Sequence, residues 1–230
     1  MKQDTYIIEK NIEKILSGTS TGFLTKNIIN IIKNKLKKTE CKELIPYEDA
    51  EKTILYSITP PNIKLYKIEC YQELKHSSIL GSLFALNITS EVFGDIIQYQ
   101  NNFYFYTLES ISKLIENELT QIDKYKIKLK EVPLDTLSHY KRNYQEIKLI
   151  VSSLRIDTII SRLIGTNRNN IDTLIKDNNI LLNNEIVKKK QYNLKENDTF
   201  SIKKHGKYFL KEIIGQTKKE NYIIILNKYI

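Results

Sequence analysis

Isoleucine and leucine return at helical spacing along the first forty residues. Ile8, Ile12, Ile15 and Leu16 mark one face of a helix, and the turn-forming run "GTSTG" (18–22) breaks it. Thr25 is placed to cap a second helix that carries Ile28, Ile29, Ile32 and Leu36 on one face. From Thr53 to Tyr71 the pattern changes to β-branched and aromatic residues around "TPPN", which predicts two strands joined by a proline turn. "SSILGSLFALN" (77–87) reads as a helix capped by Ser77 or Ser78. Asn87 ends it in a left-handed conformation, and Gly81 lets it approach a sheet. "FGDIIQYQNNFYFYT" (93–107) reads as two strands turning at Asn101-Asn102, with Gly94-Asp95 serving a turn. A helix near Leu108–Leu119 and a strand near Lys126–Val132 follow.

The last third repeats the helical signal at shorter range. Ile156, Ile159, Ile160, Leu163 and Ile164 stand at i, i+3, i+4, i+7 and i+8. "GTN" ends that helix and opens another, striped by Ile171, Leu174 and Ile175. "NILLNNEIV" reads as a hairpin, and "DTFSIKKHGKYFLKEIIG" and "NYIIILNKYI" add strands for the helix pair to pack upon. The fold class is α+β: an N-terminal helical and strand region (1–72), a small α/β sandwich of RRM-like kind (73–138), a polar connector (139–150) and a C-terminal domain (151–230). In the sandwich, "NFYFYT" is an edge strand with Phe103 and Phe105 inward and its tyrosines outward; the competing reading is a base-stacking platform.

Composition narrows the classes. With 41% hydrophobic and 27% charged residues the chain is built to bury a core. No apolar run reaches the ~18 residues of a membrane span, and the mixed-charge start is not a secretory signal. Cys41 and Cys70 form no metal-type pair and His76, His139 and His205 are scattered. Reduced thiols, a cytoplasmic setting, and no metal or cofactor are therefore expected. The formal net charge is +9, and it is unevenly placed. Residues 1–148 hold 21 basic and 19 acidic residues; residues 149–230 hold 15 and 8. A polyanion partner for the C-terminal part follows.

Only four of the 36 basic residues are arginine, and three of those four, Arg155, Arg162 and Arg168, fall between residues 153 and 175. A guanidinium grips a phosphate or a base edge through two parallel bonds, which lysine's point charge does not do. Arg155 and Arg162, seven residues apart, point nearly the same way from the helix, and Arg168 opens the next helix, whose N–H groups favour phosphate. Lys176, Lys188, Lys189, Lys190, Lys203, Lys204 and Lys207 extend the patch, and Asn183 is placed to meet ribose or phosphate. Two plainer readings stand beside this one: Arg168, Asp172 and Lys176 as a solvated ion ladder, and Lys188–Lys190 as a solvated face.

Arg155-Ile156-Asp157, Asn167-Arg168, Leu182-Asn183-Asn184 to Val187 and Asp198-Thr199-Phe200-Ser201-Ile202 together resemble the αL-type RNA-binding domain of ribosomal small-subunit protein S-four. Asn167 replaces the usual serine, Ile171 an alanine, and Asn179 and Asn184 the usual turn glycines. "PYEDAEKTILY", "HSSILGSLFALNITSEVFGDI", "KKHGKYFL" and "GQTKKENY" resemble, in order, segments of the YlmH family over roughly residues 20–230, with Thr89-Ser90 where that family has basic residues. The resemblance implies a non-enzymatic, ribosome-associated RNA-binding protein, monomeric when free. Large-subunit rRNA and tRNA would be its partners, in quality control of stalled nascent chains; a link to cell division is also implied. The alternatives are a pseudouridine-synthase type enzyme, for which Asp49, Asp95, Asp123 and Asp135 lack the motif, or an assembly or partner-binding module. Asp157 is read as a cap or as the partner of a basic neighbour.

Overall fold

A computed structural model describes residues 2–36, 39–183 and 185–229; the side chains of residues 2–4 and of Arg168 lie outside that description. The chain divides into two compact units, Met1–Lys141 and Arg142–Ile230.

The first unit opens with α1 (Lys2–Leu16), β1 (Leu24–Thr25) and α2 (Lys26–Leu36). Ile8 and Ile15 of α1 meet Ile29, Ile32 and Leu36 of α2 in one apolar cluster, as the 3.6-residue pattern requires. Next come β2 (Lys42–Leu44) and β3 (Lys52–Tyr56), which form a three-stranded antiparallel sheet in the order β1-β3-β2. Then follow β4 (Ile63–Glu69), α3 (His76–Ala85), β5 (Phe93–Tyr99), β6 (Asn102–Leu108), α4 (Glu109–Glu118), the short pair β7 (Gln121–Ile122) and β8 (Tyr125–Lys126), and β9 (Lys128–Val132). The four long strands make an antiparallel sheet ordered β5-β6-β4-β9. With its two helices this is the βαββαβ arrangement, the RRM-like topology expected.

Several expectations fail here because the middle of this sheet is covered on both faces. α3 and α4 place Ile79, Leu83 and Ile115 over Tyr66, Ile68, Phe103 and Phe105. The other face is covered by the N-terminal region, with Phe23, Tyr47, Ala50 and Ile54 over Leu65, Tyr104 and Tyr106. So β6 is a central strand. Tyr104 and Tyr106 are 6% and 0% exposed, and Tyr47 stacks on Tyr106 with centroids 6.1 Å apart. They are neither outward tyrosines nor a stacking platform. The two strands around "TPPN" do not pair with each other, because β3 and β4 enter different sheets. The division at residue 72 therefore cuts through a single packed unit.

Local details shift as well. The β5–β6 turn uses Gln100 and Asn101, both at positive φ (47° and 60°), one residue earlier than expected. Gly94-Asp95 is not a turn. It lies inside β5 where the register with β6 slips, and a Cβ on Gly94 would stand 3.1 Å from the Phe23 ring. Gly81 is exposed with nothing within 4 Å of where its Cβ would be, so it serves no close approach. The N-cap of α3 is Lys75, without a side-chain bond, whereas Asn87 does adopt positive φ (56°).

In the second unit the polar stretch taken for a connector is β10 (Tyr144–Val151), paired over its whole length with the last strand. α5 (Ile156–Ile164), α6 (Arg168–Lys176), β11 (Ile180–Leu182), β12 (Glu185–Ile186), β13 (Thr199–Ile202), β14 (Gly206–Gln216) and β15 (Tyr222–Tyr229) complete a six-stranded sheet ordered β10-β15-β14-β13-β11-β12. The helix stripe buries Ile156, Ile159, Ile160 and Ile171 against Val151, Phe200, Leu210 and Leu226. Ile171 is fully buried, so the bulk it brings is accommodated in this core.

Candidate nucleic-acid interface

The two C-terminal helices are fixed relative to each other by their linker. Gly165 caps α5 in the left-handed region (φ 64°), and the Thr166 N–H donates to the Ser161 carbonyl at 3.0 Å. The Asn167 side chain then accepts the Asn170 N–H at 2.9 Å, capping α6 as its residue type predicts. Arg168 is the first residue of α6; its side chain lies outside the described residues.

A second tie comes from the chain beyond the hairpin. The Val187 N–H donates to the Ile180 carbonyl (3.0 Å), the Lys190 ammonium bonds both Asp172 oxygens (3.1 Å each), and the Ile156 N–H donates to the Tyr192 carbonyl (2.8 Å). The segment 187–192 therefore runs beside α6 and finishes at the start of α5. It lays Lys188 and Lys189 along the helix pair, exposed and without an ion pair among the described residues. Asp172 is held by Lys190 from outside the helix; the Arg168 end of the ladder considered above lies outside the described residues. Both partners of that pair are well exposed, so it adds little stability.

The arginines differ among themselves. Arg155 forks onto Asp157, donating from Nε at 3.0 Å and from Nη2 at 2.6 Å. The Asp157 side chain is 4% exposed, that of Arg155 38%, and Asp157 also accepts the Thr158 N–H at 2.9 Å. Hydrogen bonding to Asp157 raises the Arg155 pKa. Asp157 thus pairs with a basic neighbour, as read from the sequence, and Arg155 turns one edge of its fork inward, leaving its other N–H groups outward. Arg162 is exposed and has no ion pair among the described residues. It lines a groove of about 430 Å³ between Ile150–Ser152, where β10 ends, and Thr158, Ser161, Gly165 and Thr166. A guanidinium among hydroxyls suits a phosphate or a base edge. The hydroxyls of Ser152, Ser161 and Thr166 had no signal in the sequence, because only the fold brings β10 beside α5.

At the far end of α6, Lys176 is exposed, Asn178 takes the left-handed turn (φ 55°), and the Lys203 N–H donates to the Asn179 carbonyl at 2.9 Å. That bond sets the exposed Lys203 and Lys204 beside the helix end. Two residues drop out of the patch. Asn183 donates to Asp198 Oδ1 (2.8 Å) and accepts the Thr199 N–H (2.9 Å), so its side chain locks the hairpin turn. Lys207 alternates with the core residue Tyr208 and points to the opposite sheet face, its ammonium 4.8 Å from the Tyr229 ring centre. Of the aspartates considered for catalysis, Asp95 accepts the Tyr47 hydroxyl (2.6 Å) and the Glu51 N–H (2.7 Å), which makes it an anchor for the N-terminal region. Among the described residues no group of three His, Cys, Asp or Glu is placed to hold a metal ion, and no helix is long and apolar enough to cross a membrane.

Residues 60–136 match a family model described as "Putative RNA-binding domain in YlmH", and residues 154–200 match the S4 domain. The chain is therefore similar to YlmH proteins in its first unit and to S4-domain proteins in its second. A curated relative, "Ribosome-associated protein quality control protein P2" of Bacillus subtilis (strain 168), is 25% identical over 158 residues. That stretch is 69% of this chain, and the match spans 62% of the relative's length. A solved structure, "Cell division protein ylmH from Streptococcus pneumoniae", aligns at 19% identity and a TM-score of 0.48, covering 59% of this chain and 94% of that one. The matched S4 region contains α5, α6 and the whole 187–192 segment.

Proposed function

We propose that this protein binds structured RNA through the basic face around α5 and α6, without catalysing a reaction. It acts at the ribosome, holding large-subunit rRNA and tRNA during quality control of stalled nascent chains. The observation that carries the reading is the lie of the 187–192 segment, which sets Lys188 and Lys189 beside a helix pair already bearing Arg162 and Lys176. The match to the S4 domain and the relative's name support the same partner class.

Such a face works by position. Its cations stand on elements whose ends are capped and cross-tied, so little ordering is needed when phosphates arrive. Shape and backbone, rather than base sequence, are what a rigid donor-rich surface reads in folded RNA. The protein is cytoplasmic and monomeric when free on this reading.

The test is the salt dependence of binding to purified large subunits, by co-sedimentation across a salt series. With Arg162→Gln, Lys188→Gln and Lys189→Gln combined, the slope of log affinity against log salt should flatten by about 2 to 3, near 0.9 per lost phosphate contact. An unchanged slope and affinity would refute the assigned face. Release of label from tritiated ribosomal RNA by the purified protein would overturn the non-catalytic part.

A further inference from the structure

The sheet of the first unit carries a second cationic feature that the C-terminal face does not explain. β4 and β9 pair antiparallel, with Lys67 opposite Lys130 and Glu69 opposite Lys128. Tyr66 and Ile68 face the helices, so alternation turns Lys67 and Glu69 to the other side, and Lys128 and Lys130 with them. The N-terminal region covers this side around Leu65 and Tyr106. Further along it opens: Lys67 is half-buried, and Lys128 and Lys130 are exposed.

Like charges directly opposite one another destabilise a sheet, and among the described residues none of these three lysines has an ion pair. The helix-facing side of the same two strands is arranged differently. There Lys64 meets Glu131 at 2.8 Å and Glu116 at 3.9 Å. One face compensates its lysine with carboxylates, and the other sets three lysines around the single carboxylate of Glu69.

Two plainer causes do not account for this. An overall lysine excess is not one, since residues 1–141 hold 19 basic and 18 acidic residues. Guarding a sheet edge with lysine explains the pair on β9, an edge strand. It does not explain Lys67, on a strand flanked by β6 and β9.

We infer that Lys67, Lys128 and Lys130 form a phosphate-binding stripe for an RNA strand, separate from the α5–α6 face. The stripe lies within residues 60–136, the stretch matching a putative RNA-binding domain, and its charge selects a polyanion. Tyr104, beside Lys67 in the sheet, is too buried for a base to stack on it. The grip is therefore on backbone phosphate, and the strand's sequence matters little.

The experiment uses the full chain and a fluorescein-labelled single-stranded oligouridylate, with anisotropy recorded over a salt series. Combining Lys67→Gln, Lys128→Gln and Lys130→Gln should flatten the log–log slope by about 2, near 0.7 for each lost single-strand contact. The melting temperature should stay level or rise, since repulsion is removed. The matching triple change to arginine should keep wild-type binding, which separates lost charge from a damaged fold. Wild-type slope and affinity in the glutamine variant would overturn the inference, and so would wild-type slope with new self-association, the mark of edge protection alone. The variant of Arg162, Lys188 and Lys189 is run alongside. If only that variant loses affinity, the stripe falls; if only the stripe variant does, the stripe stands, and the C-terminal face, which takes folded RNA, is judged by the large-subunit salt series.

Discussion

Replacing Asp95 by alanine tests how the N-terminal region is held on the sheet. Its Oδ2 accepts the Tyr47 hydroxyl at 2.6 Å and the Glu51 N–H at 2.7 Å, with the Lys52 N–H at a marginal 3.5 Å. The first two are short, charge-assisted bonds, of the class that contributes about 1.5–3 kcal/mol each. Asp95 is only half-buried, so water replaces part of what is lost. A net loss of about 3 kcal/mol is expected. Lys52 adds to the effect. Burial lowers its pKa and the Asp95 charge raises it, so removing Asp95 lets that pKa fall further. In urea denaturation the alanine variant should lose about 3 kcal/mol, or about 6–12 °C in a thermal scan for a unit of this size. Tyr47→Phe combined with Asp95→Ala should cost less than the two changes added, because they share a bond. A loss below about 1 kcal/mol, or full additivity, would show that the carboxylate is not the fastening.

Ile171→Ala empties a fully buried site in the second unit's core and should cost about 2–5 kcal/mol in urea denaturation, while RNA affinity per folded molecule stays the same. A smaller cost would mean that α6 is not locked against α5. Stability should also depend on alkaline pH with two opposed signs. The lowered pKa of half-buried Lys52 makes stability rise as pH climbs towards 10.5, because the unfolded chain holds that proton longer. Burial raises the Tyr66 and Tyr106 hydroxyls to about 12 from 10.0, so their contribution is whole below pH 10 and is lost between 10 and 12. Tyr106→Phe should shallow that upper limb in urea midpoints taken by pH; an unchanged limb would refute the assignment.

Much of the second unit was legible before any fold was known. The stripe from Ile156 to Ile164, the glycine and asparagine of the linker and the Arg155–Asp157 spacing are local signals, and each reappears as a helix face, a cap or an ion pair. The first unit was legible in its elements and not in its assembly. "NFYFYT" is apolar at every step, which a strand shows when both faces are buried, yet nothing local says that a second layer comes from residues 23–54, far upstream. The anchoring role of Gly94-Asp95 was hidden for the same reason, since Phe23, Tyr47 and Glu51 are remote in sequence.

The candidate site divides along the same line. Residue types alone selected forked cations on two short helices, because the choice of arginine against a lysine-rich background is a property of the chain itself. Which cations stand free was decided by packing. Asp157 takes one edge of Arg155, Asp172 holds Lys190, strand alternation carries Lys207 to the far face, and Asn183 is consumed by its own turn. Lys67 and Lys130 look unremarkable 63 positions apart. Only the pairing of β4 with β9 sets their charges side by side, for periodicity is written in neighbouring residues and electrostatic company is written in space.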